Sequence, residues 1–306
     1  MAAAATAPFG SVGGNNMLLR LPPGTPDEEL HLEVALLLVS DIAAGRLEIP
    51  PLPKTAVELS RVVSSKDARI ESVVRLVERD VQLAGRVLRL ASSAAFGREK
   101  VRELRRAIVR VGMSGVRNIA LSVAVAKAFR AGPLEPYLKL ETRHAYVTAC
   151  GTAWMARRLG GDDQQGFLCG LMHDVGCPAL LAMIAKRGQR EPALLSVDVI
   201  MPLLHQLHAD VGYAVLGHWG LADAVCDVAQ LHHLAHRQAS PTPLMLGVAL
   251  ADAADEYPVA DAGERMKFLL DHPVRYLSKV TEADLKMMCT IMDEAAADEA
   301  LASLIR

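Results

Sequence analysis

Apolar positions recur at helical spacing along most of this chain. Ile70, Val73 and Val77, for example, stand at i, i+3 and i+7, a spacing that places side chains on one face of an α-helix. No segment of useful length alternates apolar and polar residues, as a half-buried strand would. The pattern therefore predicts an all-α protein.

Interruptions of the pattern predict where helices begin and end. Gly45 follows a helical pattern at 30–44 and is expected to close it in the left-handed conformation. Three prolines between positions 50 and 53 predict an extended connector, because proline is excluded from helix interiors. Asp80 and Ser114 each precede an apolar helical pattern, so both are expected to act as N-caps.

The same interruptions divide the chain into four predicted segments. Gly132-Pro133 breaks the helical pattern near the middle of the chain and is expected to separate two helical lobes. The predicted segments are a flexible tail at 1–29, an N-terminal helical lobe at 30–132, a second helical lobe at 133–256 and a C-terminal helical extension at 257–306.

Composition supports helices and shows a charge asymmetry. Half the residues (51%) are hydrophobic but only 4% are aromatic, which favours close-packed helices over a β-sandwich. The formal charge is only -2, yet residues 54–130 carry 17 Lys and Arg against 7 Asp and Glu. This basic part could meet an acidic surface, a phosphate-bearing ligand or the acidic half of the same chain. Solvated helix faces would explain the charges equally well.

The cysteines and the hydropathy pattern bear on location. None of the five cysteines belongs to a CxxC pair, so a reduced, cytoplasmic setting is expected. The most apolar stretch, 34–39, is far shorter than the ~20 residues that span a bilayer. We therefore expect no membrane span. The oligomeric state stays open.

Histidines and aspartates in separate predicted helices are the candidate chemistry. Imidazoles and carboxylates that converge from several elements can bind Fe, Mn, Mg, Ni or Zn. Asp252 ends an apolar run and is costly to bury without a partner, which a metal, His173 or Arg143 could supply. A relic hydrogen-bond network is the alternative. The candidate ligands are His144, His173, Asp174, His208, His232, His233 and Asp252.

Other catalytic motifs are absent. The sequence contains no GxSxG, no phosphate-binding GxxxxGK and no GxGxxG placed after a strand. The arginines of the basic part are not interleaved with aromatic residues that could stack on bases. We therefore expect nucleic acid not to be the ligand.

The order of these residues resembles the HDOD domain, a branch of the HD superfamily of metal-dependent phosphohydrolases. The resemblance covers about residues 45–255. In the first lobe it rests on Leu52-Pro53, Asp80-x-x-Leu83, Leu88–Ala94, Phe96-Gly97, Ala107-Ile108, Val111-Gly112 and Arg117-Asn118. In the second lobe it rests on Gly170–Gly176, His208–Gly212, His218–Leu221 and His232-His233.

This resemblance implies an all-α fold and a regulatory role, commonly in bacterial signalling. Many HDOD members lack HD ligands, whereas every matching position here holds His or Asp. In that respect the chain is similar to the HD-GYP phosphodiesterases of cyclic dinucleotides. It departs from them at Cys177, where they carry a lysine, and at Leu234, where they carry an acidic residue, and no Gly-Tyr-Pro follows. A lysine there could stabilise charge on a phosphoryl group.

Two hypotheses of different classes follow. The first is a non-catalytic signalling module that binds a partner protein or nucleotide through its basic lobe. Its expected binding residues are Arg86, Arg89, Arg105, Arg106 and Arg117, since guanidinium groups suit phosphate and carboxylate.

The second hypothesis is a metal-dependent phosphohydrolase or phosphodiesterase, with Asp174 as the expected catalytic residue. In that case one ion would bind to His144, His173, Asp174 and Asp252, and a second to His208, His232 and His233.

Overall fold

Helices joined by short turns make up the structure, a computed structural model that describes residues 36–42, 44–92, 99–190, 192–256 and 262–297. No strand occurs in these ranges, which confirms the predicted all-α class. The first described helix, α1, covers residues 36–42. The tail predicted at 1–29 lies outside the described residues.

The basic part of the chain forms short helices with one buried face each. Val73 and Val77 are buried, as their spacing predicted. The helices here are α2 (Lys54–Val63), α3 (Ile70–Glu78), α4 (Val81–Ala91), α5 (Leu104–Val111) and α6 (Met113–Ala128). Helix α2 packs on α3, and α4 packs on α5.

Residues 135–256 form helices that are arranged around a central one. The central helix α7 packs against the helix that follows it and against two helices from later in the chain. The helices here are α7 (Glu135–Arg158), α8 (Asp163–Met172), α9 (Gly176–Gly188), α10 (Val197–His218), α11 (Asp223–Leu231) and α12 (Pro243–Glu256). Short 3-10 turns stand at Gly132–Leu134, Pro192–Leu195 and His232–Arg237. The division into two lobes stays a prediction.

The C-terminal extension is helical as far as it is described. It contains α13 (Ala262–Asp271), α14 (Pro273–Ser278) and α15 (Glu282–Ala296). The apolar pattern predicts a single helix at 263–279, but the structure has two, because Pro273 supplies no backbone donor with which α13 could continue.

The predicted helix ends are mostly confirmed. Gly45 is left-handed with φ +69°, and the Asp80 carboxylate accepts a hydrogen bond from the Leu83 amide at 3.0 Å. The prediction for Ser114 is wrong. Helix α6 begins at Met113 directly after Gly112, whose φ of +81° sets the turn, so Ser114 lies inside the helix.

The connector before α2 is held against α9 and the end of α10. Residues 46–53 are non-helical, as the prolines predicted. The Trp219 indole donates a hydrogen bond to the Pro50 carbonyl at 2.9 Å. Just upstream, Arg187 pairs with Asp41. The chain therefore crosses α9 and the end of α10 before it enters the basic helices.

Within the described residues, one helical stretch has the length and hydropathy of a membrane span. It covers Asp163–Gly188, and 78% of its most apolar window is buried inside the protein. A second pair, Leu104–Val111 with Met113–Val125, passes the same criteria only if taken together, and it is bent by 98°. Burial of this extent is typical of a core helix, so these stretches are weak evidence for a span.

We expect Asp80→Ala to lower the free energy of unfolding by about 1 kcal/mol, because the first amides of α4 lose their acceptor. Ser114→Ala is the matched control and should change it by less than about 0.5 kcal/mol. Urea denaturation followed by circular dichroism measures both. Equal losses for the two variants would contradict the assignment of the cap.

Candidate metal centre

All seven predicted side chains meet at one place in the second part of the chain. His144 lies on α7, His208 on α10 and Asp252 on α12. His173 and Asp174 form the turn between α8 and α9, and the His232-His233 pair opens the 3-10 turn after α11. Five separate elements thus contribute to one cluster.

A backbone contact between α9 and α10 brings the His173-Asp174 turn to His208. A Cβ atom on Gly176 would stand 1.9 Å from the His208 carbonyl oxygen and 2.7 Å from the Gly212 amide nitrogen. Only glycine fits at such a distance. The first residue of α9 therefore lies directly on the backbone of α10.

Backbone carbonyls orient three of the imidazoles. The Nδ1 atoms of His173, His208 and His232 lie 2.8, 2.7 and 2.9 Å from the carbonyl oxygens of Gly170, Leu204 and Ala229. A carbonyl can only accept, so each Nδ1 carries a hydrogen, and when the ring is neutral Nε2 presents a lone pair.

The Nε2 atoms of four imidazoles face two carboxylates. The Asp174 Oδ1 atom lies 3.4 Å from Nε2 of both His208 and His232. The Asp252 Oδ1 atom lies 3.2 Å from Nε2 of His144 and 3.4 Å from Nε2 of His173. Lone pairs and carboxylate oxygens repel at this range unless a proton or a cation lies between them.

Ring nitrogens also face one another. The Nε2 atoms of His144 and His173 are 3.2 Å apart, and those of His208 and His233 are 3.1 Å apart. Within each of two groups one ligand atom per residue lies within 4.8 Å of the others. These groups are His144, His173, Asp174 and Asp252, and His208, His232 and His233. They coincide with the two sets proposed from the sequence for two ions.

The charges of the cluster are strongly coupled. Burial alone would lower the pKa of His144, but its hydrogen bonds to Asp174, Asp252 and Asp255 outweigh burial and hold the pKa well above its usual range. Burial opposes ionisation of Asp174, yet the surrounding histidines hold its pKa well below the usual range. The carboxylates are therefore ionised and attract positive charge.

His233 behaves differently from His144. Burial and the neighbouring His232 lower the pKa of His233 to about 3. A neutral imidazole is the form that binds a metal. At 33% exposure the His233 side chain is also the most exposed of the seven, which places the opening of the cluster beside it.

Two buried polar atoms of the cluster lack hydrogen-bond partners. Among the described residues neither Asp174 Oδ1 nor His232 Nε2 has one, although both are shielded from solvent. Orphaned atoms of this kind are rare in proteins and call for an explanation such as a bound ion. An anionic oxygen and an imidazole lone pair are both suitable ligands for a divalent cation.

Two acidic residues of the site were not predicted from the sequence. The Asp255 carboxylate accepts a hydrogen bond from Nδ1 of His144 at 2.9 Å and so orients that ring. It also pairs with Arg143 at 3.4 Å. The proposal that Arg143 would compensate Asp252 is therefore wrong, whereas the proposal for His173 is supported by their 3.4 Å contact.

Glu141 is the second addition. It lies one turn before His144 on α7, and one of its carboxylate oxygens groups with Asp174 and Cys177. Burial raises the pKa of Glu141, and the Asp174 charge raises it further. Spacing could have revealed both residues, since Glu141 and Asp255 each stand three positions from a predicted ligand.

Two of the five arginines expected to bind a partner line one groove. Arg105 and Arg106 line an open groove of about 590 Å³ on α5, but the other three do not. Arg105 is paired with Glu71 at 2.8 Å. Arg86 and Arg117 are partly buried, which lowers the pKa of both. Arg89, like Arg86, belongs to α4.

Comparison with known families agrees with the resemblance seen in the sequence. The model of the HDOD domain matches residues 49–235. This chain belongs to the HDOD family. A relative outside the solved structures is an uncharacterized protein from Treponema pallidum (strain Nichols), 29% identical over 229 residues. The match covers 70% of this chain but only 44% of that relative, so this chain spans less than half of the relative's length.

Solved structures show the same fold. A candidate metal-dependent phosphohydrolase from Shewanella amazonensis SB2B superposes with a TM-score of 0.69 and 19% identity, covering 90% of this chain and 98% of that one. An HDOD domain protein of unknown function from Geobacter sulfurreducens gives 0.60 and 21%, covering 89% and 98%. A candidate signal transduction protein from Marinobacter aquaeolei VT8 gives 0.52 and 19%, covering 87% and 65%.

We expect Gly176→Ala to lower the free energy of unfolding by roughly 3 kcal/mol, the upper end for overpacking, because backbone atoms cannot move aside. Gly217→Ala on the exposed side of α10 is the control, since a Cβ there meets nothing within 4 Å. That change should raise stability by about 0.4–1 kcal/mol. Thermal and urea unfolding distinguish the two. A Gly176→Ala variant as stable as wild type would contradict the close contact.

Proposed function

We propose that this HDOD protein is a signalling module whose second lobe binds divalent metal, and that it acts by binding rather than by turnover. The observation that carries the proposal is the convergence of seven imidazole and carboxylate groups. Three of the imidazoles are fixed by backbone carbonyls with their lone pairs directed at buried carboxylates.

His144, His173, Asp174 and Asp252 would hold one ion, and His208, His232 and His233 a second. Five imidazoles make Fe, Mn, Ni or Zn better suited than Mg, which prefers oxygen ligands. An ion bound there would supply a Lewis acid and could activate water. The protein itself would fix the positions of the ligands through Asp255 and the three carbonyl contacts.

The case against turnover rests on missing positive charge. Hydrolysis of a phosphate ester benefits from a cationic side chain beside the phosphoryl group. Cys177 stands where HD-GYP relatives carry a lysine. Arg143 is the one arginine or lysine that the described ion pairs bring to the cluster, and it is already paired with Asp255.

The partner is proposed to meet the basic helices. Arg105 and Arg106 line the groove on α5 together with Arg102 and Arg110, and guanidinium groups bind phosphate or carboxylate with two parallel hydrogen bonds. A partner protein with an acidic surface or a nucleotide would fit this chemistry. The five cysteines are free, which supports a reducing compartment such as the cytoplasm.

We expect protein purified without chelator to contain bound transition metal, and Asp174→Ala to lose most of it. The reason is that Asp174 lies between both groups of ligands. Elemental analysis measures the content, and a chelator should lower the melting temperature of the wild type but not of the variant. Asp227→Ala, at an exposed position on α11, is the control. Wild-type protein without metal would contradict the proposal.

The alternative function is a metal-dependent phosphohydrolase, favoured by the complete ligand set and by the opening beside His233. Mn²⁺- or Fe²⁺-loaded protein would be assayed on cyclic dinucleotides and on a generic phosphate monoester. For a binding module we expect the wild-type rate to equal that of Asp174→Ala. Wild-type turnover in the ordinary range of about 1–10³ per second, lost in the variant, would instead establish the enzyme.

A further inference from the structure

A thiol and a carboxylate lie beside Asp174 of the candidate metal centre. One ligand atom each from Glu141, Asp174 and Cys177 lies within 4.8 Å of the other two. The Cys177 side chain is buried, with 5% of the residue exposed. The three residues come from α7, from the turn before α9 and from the start of α9.

Two acidic groups and a thiol make an unusual buried corner. The Cys177 thiol lies within 4.8 Å of a Glu141 carboxylate oxygen, so a potential anion faces an actual or potential one. A lysine at position 177 would place a positive charge at this corner, whereas a cysteine supplies a sulfur atom that can bind a cation.

The geometry of the three ligand atoms fits an ion. Ligands that are about 2.0–2.3 Å from a common zinc ion stand well within 4.8 Å of one another. Asp174 belongs both to this group and to the group of His144, His173 and Asp252. Its Oδ2 atom lies 3.6 Å from Nε2 of His144 and 3.4 Å from Nε2 of His173. Its Oδ1 atom, which faces His208 and His232, has no hydrogen-bond partner among the described residues.

We propose that Cys177 and Glu141 are themselves metal ligands, with Asp174 bridging to the neighbouring ion. The inference rests on the proposed metal-binding function and specifies it. On binding, the S–H bond breaks, the proton leaves to solvent and a sulfur–metal bond forms. A thiolate ligand favours Zn²⁺, Fe²⁺ or Co²⁺ over Mg²⁺ and Mn²⁺, so Cys177 would determine which metal the protein selects.

The test is a titration of the full-length, metal-stripped protein with Co²⁺ under anaerobic, reducing conditions. Cobalt reports ligation in two ways: visible d–d bands show that an ion is bound, and a near-ultraviolet charge-transfer band shows a thiolate ligand. We expect both bands in the wild type. We expect Cys177→Ser to lose the charge-transfer band and to keep d–d absorption from the histidine ligands.

Controls separate this inference from the function on which it rests. Cys226→Ser, a buried thiol on α11 outside the three ligand groups, should keep both bands. Glu141→Gln should weaken the charge-transfer band without removing Cys177, which keeps the test available if Cys177→Ser does not fold. Wild-type d–d bands without charge transfer would overturn the thiolate ligand alone. The absence of both bands would overturn metal binding itself.

Discussion

Burial of the carboxylates of Asp174 and Asp252 constrains the second part of this protein more than any other interaction. Their side chains are 11% and 4% exposed, and removing a carboxylate from water costs several kcal/mol unless positive charge compensates it. In this fold the compensation comes from imidazoles, which must be delivered from α7, α10 and the turns after α8 and α11. The helices are therefore arranged around a requirement for cations.

The backbone performs much of the positioning. Backbone carbonyls orient three of the histidine rings, and the backbone contact between Gly176 and α10 sets the distance from Asp174 to His208. The Gly176 contact involves only main-chain atoms, so it does not depend on a bound ion.

The sequence was sufficient for the helical class, most helix ends and the seven clustered side chains, because helical periodicity and the ordered His and Asp positions are local signals. Asp255 and Glu141 were missed because their roles depend on packing between α7 and α12 and between α7 and α9. The Ser114 cap failed because Gly112, with positive φ, already ends one helix and begins the next. The sequence also could not show that Arg105 and Arg106 line one groove, because net charge along a segment does not say which faces its helices expose.

The fastening of the connector to α9 and α10 has a mechanical consequence. Arg187 and Trp219 hold the chain at Asp41 and Pro50. These two positions precede the basic helices in sequence but lie against α9 and the end of α10 in space. Tension applied upstream of residue 41 would act on α9 and on α10, the helix that carries His208, before it acted on α2. The histidine cluster would therefore respond to such tension before the basic helices did.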